Sequence, residues 1–351
     1  MDQYTRFLNS IPSENLTERI RKQSPFPTAG GGYADIHKCL LDTGTESIDV
    51  VVKSIRLFTI PDGEDSCRQS KMLCRELSIW ARLHHENILP FYGIAFGFGL
   101  LPAVVGPWAQ NGTLGDCLAC NPGLPVRDRE HLLCEIASGL HHLHSQMVIH
   151  GDLTGTNVLV DASGKACLAD FGLATIHQEF LGTSFFMSSS RGNVRWAAPE
   201  LFQVPECEGN QSVLCGEETD VYSYGSLMLQ VLSGKVPFFD SNAWQVCTKV
   251  ALGHRPPRET GWNGQPIPDV YWRFIKRCWD EVPSKRPSSS EVLEFIRNQY
   301  SRSKHTHTSA PIISHDVFVI LSHPARRFVL SFHACLLYGH TVVLLHVRHL
   351  F

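Results

Sequence analysis

The chain has 351 residues, enough for one large or two closely packed domains with a substantial core. Its formal charge of −3 argues against nucleic acid or another polyanion as the main partner. Its 12 cysteines form no compact repeated framework and no secretory segment opens the sequence, so free thiols in a reducing, cytoplasmic setting are expected.

Residues 1–24 are mixed and polar, and an amphipathic piece around Leu16–Ile20 predicts a short helix lying on the domain. Pro25 and Pro27 then lead into Thr28–Lys38, which reads as strand, glycine-rich turn, strand. Ser47–Ile55 is a β-branched strand interrupted by Lys53, and Cys67–Leu83 carries helical periodicity through Met72, Leu73, Glu76, Leu77 and Trp80. Ile88–Ile94 and Leu101–Val105 are two further predicted strands, completing a small and mostly antiparallel sheet with one helix.

The character changes after 106–112. Leu114–Cys120 predicts a short helix, on which Cys117 and Cys120 have metal-ligand spacing but no matching second pair. Arg129–Ser145 predicts a long helix with an apolar stripe at Leu132, Leu133, Ile136, Ala137, Leu140 and Leu143. Short strands at Val158–Val160 and Ala166–Ala169 flank a turn. Helices are expected over Asp220–Leu232, Ser241–Leu252, Tyr271–Trp279 and Ser288–Ser301, with prolines between them. A sheet lobe and a helical lobe meeting near 106–112 leave a cleft, a natural ligand site.

The most telling run is His150-Gly151-Asp152-Leu153-Thr154-Gly155-Thr156-Asn157, followed thirteen positions after Asn157 by Asp170-Phe171-Gly172. It puts an acid and an asparagine on one loop and a second acid at the end of a nearby strand. Divalent ions can then be held against a polyphosphate while a free carboxylate receives a hydroxyl proton. Lys53, inside the apolar Val50-Val51-Val52-Lys53, is a charge that needs a partner or an anion.

Over roughly residues 25–299 the order of these features resembles the eukaryotic protein-kinase catalytic domain. It is most like the tyrosine-kinase-like group, including expanded fungal sets whose catalytic loops begin His-Gly-Asp. The resemblance implies an α+β bilobal fold: an N-lobe over 25–105, a hinge over 106–112 and a helical C-lobe over 113–299. Residues 1–24 then form an N-terminal extension and 300–351 a tail of undetermined structure.

The implied cofactors are ATP and Mg2+, with Mn2+ as the alternative ion. The implied partners are protein substrates and an upstream kinase, with no nucleic acid. The implied activity is γ-phosphoryl transfer to Ser/Thr hydroxyls, or to Tyr. A pseudokinase or weakly active nucleotide-binding scaffold is the rival reading.

The resemblance assigns Asp152 to the acceptor proton, Asn157 and Asp170 to the metal, Lys53 to the α- and β-phosphates, and Glu76 to holding the Lys53 amine. It places Ala29, Gly30, Gly31, Gly32, Ala34, Ile36, Val51, Gly106, Pro107, Ala109 and Leu159 around the nucleotide. At the hinge the useful groups are the Pro107 carbonyl and the Ala109 amide and carbonyl. Gly106 at the gatekeeper position implies an open rear pocket able to take bulky-tailed purines. Trp80 is expected to pack in the interior, Glu200 to pair with Arg286, and Asp220 to cap its helix and brace the catalytic loop.

Three departures stand out. Ala34 adds a methyl where the family has a third glycine. Gly151 replaces an arginine that holds a phosphorylated activation loop, so phosphate on 183–191 should be a weak on-switch. Thr154 replaces the lysine that neutralises the migrating phosphoryl group and Thr156 supplies no arginine in compensation, so slow chemistry is expected.

In the tail, residues 329–347 lack a formal charge and are long enough to span a bilayer. Three readings stay open there: a membrane anchor, which would make the protein membrane-associated, a helix or strands packed on the domain, or an extension with no structured role.

Overall fold

The computed structural model describes residues 13–30, 34–56, 77–99, 101–171, 193–202, 215–261 and 264–303, and the backbone of 315–323, 326–337 and 340–349. Residues 1–301 and 302–351 are two separate compact units.

The first unit is bilobal. Its N-lobe sheet contains β1 (Ile20–Lys22), β2 (Ala29–Gly30), β3 (Ala34–Asp42), β4 (Ser47–Ile55), β5 (Gly93–Ala95) and β6 (Ala103–Pro107). They are antiparallel in the order β1-β3-β4-β6-β5, with β2 also on β3. Strand alternation divides the two faces. Cys39, Leu41, Val50, Val52, Ala95, Ala103 and Val105 bury one face beneath Leu16. On the other, Val104, Ile94 and Leu101 pack with Leu77 and Trp80 of the helical residues 77–80.

Two predicted elements differ. The Leu16–Ile20 helix is a single 3-10 turn, Thr17–Arg19, after which Ile20–Lys22 pairs with Cys39–Leu41 of β3. Three helical residues leave an edge of β3 unpaired, whereas an extended 20–22 satisfies its backbone groups. Of the predicted strand Ile88–Ile94, only its end is in a strand, because Leu89 donates instead to the Leu168 carbonyl at 2.9 Å.

The C-lobe is built on α1 (Leu114–Cys120), α2 (Val126–Ser145), α3 (Glu217–Ser233), α4 (Ala243–Ala251), α5 (Asp269–Cys278) and α6 (Ser289–Ser303). Thr113 and Asp116 form a reciprocal cap on α1, as Asn242 and Gln245 do on α4. The predicted α2 stripe is buried, and α3 is buried from Thr219 to Ser233, so α3 is the central post around which the lobe packs. The hairpin β7 (Val158–Val160) and β8 (Ala166–Leu168) lies on α2 through the Ala166 amide, which donates to Glu135 at 2.8 Å.

The second unit is an antiparallel sheet of β9 (His315–His323), β10 (Arg326–Leu337) and β11 (His340–His349), ordered β9-β10-β11. The uncharged run 329–347 is thus divided between two strands. Among the described residues no helix is long and apolar enough to cross a membrane.

Candidate active site

The N-lobe register collects the nucleotide candidates on one face. Ala29 pairs with Ile36, Ile36 with Lys53, Lys53 with Val104, and Val51 with Gly106, so alternation points these side chains the same way. Ala34 shares that face, paired with Ile55, and is buried. Leu159 of β7 packs with Leu89, Cys167, Ala169 and Trp80. Gly31, Gly32, Glu76 and the segment 172–192 lie outside the described residues.

At the hinge, Gly106 and Pro107 are still strand residues of β6. The Trp108 amide donates to the Asp49 carbonyl at 3.3 Å, and Lys38 Nζ sits 5.2 Å from the Trp108 ring centre. Of the three groups expected to meet adenine, the Ala109 carbonyl already accepts the Gly112 amide at 3.2 Å, closing the turn. A Cβ at Gly106 would lie 3.1 Å from the Pro90 carbonyl and 3.8 Å from side-chain atoms of Leu89 and Val51. The glycine therefore admits a close backbone neighbour.

Below it the acidic residues converge. Lys53 Nζ reaches Asp170 Oδ2 at 2.5 Å, joining β4 to the end of β8. Asp170 takes a left-handed φ of 60°, a conformation that aspartate tolerates better than most residues. Asn157 Nδ2 donates to the Asp152 main-chain carbonyl at 2.8 Å and to Asp152 Oδ2 at 2.9 Å, and the Asn157 main-chain carbonyl accepts the Ala169 amide at 2.9 Å. Asn157 thus ties the Asp152 loop to the strand that delivers Asp170.

Phe171 meets Trp80 edge-on at 5.5 Å and His150 at 6.3 Å, giving Trp80 its expected packing role. The Trp80 indole donates to the Leu89 carbonyl at 2.8 Å. Thr154 is 1% exposed and its hydroxyl lies 2.8 Å from that of Thr156. Its side chain is therefore buried in the lobe.

The catalytic loop hangs from α3. Asp220 Oδ2 accepts the His150 amide and Oδ1 the Gly151 amide, both at 2.8 Å, and His144 Nε2 lies 2.9 Å from Oδ2. The expected brace is present. Asp220 is not the cap of α3, because the helix begins a turn earlier at Glu217. Burial lowers the His150 pKa, against the opposing pull of Asp220, so the ring is neutral. Burial pushes the Cys215 thiol up to about 12, aided by the negative charges of Asp220 and Asp152, and the thiol contacts the Gly151 carbonyl at 3.8 Å.

Neither His144 nor Cys215 stood out in the sequence. For His144 a signal was present, since helical spacing from Ala137 and Leu140 puts it on the buried stripe. Cys215 had none.

Glu200 and Arg286 form the expected buried fork, Nη1–Oε1 at 2.5 Å and Nη2–Oε2 at 2.9 Å. Arg286 also lies over Tyr222, which packs against Trp279. Residues 28–296 match the family model described as protein tyrosine and serine/threonine kinase. The chain belongs to that kinase family.

Similar proteins include the dual specificity protein kinase pyk3 of Dictyostelium discoideum, 28% identical over 68% of this chain and 16% of the relative. The tyrosine-protein kinase Src64B of Drosophila melanogaster is 29% identical over 72% of the chain and 42% of its own length. The serine/threonine-protein kinase TNNI3K of Mus musculus is 30% identical over 64% and 26%. The kinase chain thus spans less than half the length of these relatives.

Kinases of this family use ATP and a divalent metal, and the residues present fit both. With Asn157 Nδ2 committed to Asp152, Asn157 Oδ1 and the Asp170 carboxylate that meets Lys53 are the hard oxygen donors that would hold the ion. Among the described residues no group of three or more His, Cys, Asp and Glu side chains could hold a metal alone. Two protein oxygens completed by phosphates and water suit Mg2+.

Proposed function

We propose that the chain transfers the γ-phosphoryl group of ATP to protein hydroxyls, acting on serine and threonine and placed in the tyrosine-kinase-like group. The observation that carries this reading is the junction of Lys53 with Asp170 beside the Asn157–Asp152 pair. Together they would supply a lysine for the α- and β-phosphates, two oxygen donors for Mg2+ and a carboxylate for the acceptor proton.

Asp152, oriented by Asn157, would hold the acceptor hydroxyl and receive its proton as the oxygen attacks phosphorus. Lys53 would place the phosphates, and Asn157 and Asp170 would hold the cation. Bound Mg2+ would offset the charge of the phosphate oxygens. Thr154 contributes no positive charge, which supports slow turnover. An upstream kinase belongs to the same reading, as does a cytoplasmic location, which agrees with the described cysteines being free thiols.

The buried Thr154 also favours the rival, a nucleotide-binding scaffold. Labelled ATP and a generic protein acceptor separate the two. Phosphotransfer should fall about 100-fold or more in Asp152→Asn. Transfer that survives this substitution unchanged rejects the assigned chemistry, and nucleotide binding without transfer in the parent selects the scaffold.

A further inference from the structure

Arg56 directly follows β4 and folds back onto Asp35 of β3, its Nε donating to Oδ2 at 2.9 Å and its Nη2 to Oδ1. Asp35 is in turn the cross-strand partner of Gly30 on β2. A Cβ built on Gly30 would lie 3.1 Å from Arg56 Nη2 and 3.5 Å from Asp35 Oδ1. One guanidinium–carboxylate fork therefore joins β3 to the residue that follows β4 and lies beside the β2 stem of the glycine-rich turn.

The fork lies on the face opposite the nucleotide candidates, because Asp35 alternates with Ile36, the partner of Lys53. Any effect on a nucleotide must act through the backbone. β2 is two residues long, held by its pairing with Ile36 and Asp35, by the Thr28 amide on the Ile36 carbonyl at 2.8 Å, and by the Thr28 hydroxyl accepting the Lys38 amide at 3.1 Å. The Arg56 hydrogen bond holds the Asp35 carboxyl below its ordinary pKa, so the fork is charged at neutral pH.

We propose that Arg56 and Asp35 are a positioning pair for the nucleotide, clamping the stems of the glycine-rich turn to the strand that carries Lys53. The proposal rests on the nucleotide-binding reading above. An exposed ion pair contributes little to folding. A merely structural pair would leave nucleotide affinity alone.

The test uses the full chain, with Arg56→Ala, Asp35→Asn and the charge-exchanged double variant Asp35→Arg/Arg56→Asp. Titration with a fluorescent ATP analogue and Mg2+ should show Kd raised about three- to tenfold in each single variant and largely recovered in the double. KM for a peptide acceptor should not move. Without nucleotide, amides of 28–30 and 34–36 should exchange hydrogen faster in the single variants, while the melting temperature stays near that of the parent. Single variants with parental Kd and parental exchange overturn the proposal, as does a double variant that recovers neither. A parent that takes no Mg-ATP overturns the functional reading and the nucleotide role together, and the exchange data then decide separately whether the pair clamps the turn.

Discussion

Asp220 accepts the Gly151 amide at 2.8 Å while Gly151 turns through a left-handed φ of 76°. Glycine enters that region freely, whereas a side chain there costs about 1–2 kcal/mol. Gly151→Arg should therefore lower unfolding free energy by about 1–2 kcal/mol in urea titrations. An unchanged midpoint would show that the loop relaxes around the new side chain.

Removing the other partner should cost more. Asp220→Ala strands the buried His150 amide, the half-buried Gly151 amide and His144 Nε2, all of which converge on one carboxylate that is 1% exposed. Losses of about 3–5 kcal/mol are expected, read by chemical denaturation. Phosphotransfer should fall with them, because the same carboxylate fixes the backbone leading to Asp152.

Glu200→Gln removes the charge opposite Arg286, whose side chain is 0% exposed. The guanidinium keeps the carbonyls of Glu218 and Asp280, each at 3.0 Å, but loses its counter-ion. Destabilisation of about 3 kcal/mol should follow, and a change below about 1 kcal/mol would mean that water reaches the site.

Acid should destabilise the fold through histidines. Burial lowers the pKa of His150, and of the stacked pair His85 and His142, whose rings lie 4.7 Å apart. Unfolding restores their ordinary values near 6.5, so below that pH the unfolded chain binds more protons. Stability is full above about pH 6.5 and declines as pH falls toward the folded-state values. Melting temperatures taken from pH 7.5 to 5.5 should drop, and the His85→Gln/His142→Gln variant should flatten the slope.

Thr154→Lys tests whether missing charge limits the rate. The substitution should raise kcat about tenfold in single-turnover assays. It should also cost about 1–3 kcal/mol, since the replaced side chain is buried. A stable, folded variant with parental kcat would place the limit elsewhere.

Lys53 was legible because it interrupts an apolar strand whose alternation sets its face, whereas Asp152, Asn157 and Asp170 were legible through the resemblance of their loops to those of protein kinases. The helical lobe was equally legible from the stripe on α2 and the apolar length of α3. The contacts of His144 and Cys215 were not, for their partners lie 76 and 64 residues away.

By itself, then, the sequence determined the two-lobe order and the family. Tertiary structure decided that Thr154 is buried, that Ile20–Lys22 joins the sheet and that Arg56 turns back onto Asp35 beside Gly30. It also divided 329–347 between two strands. Local pattern encodes which face a residue takes. Which distant groups share that face depends on chain crossings and on every buried polar group finding a partner, and those are properties of the folded whole.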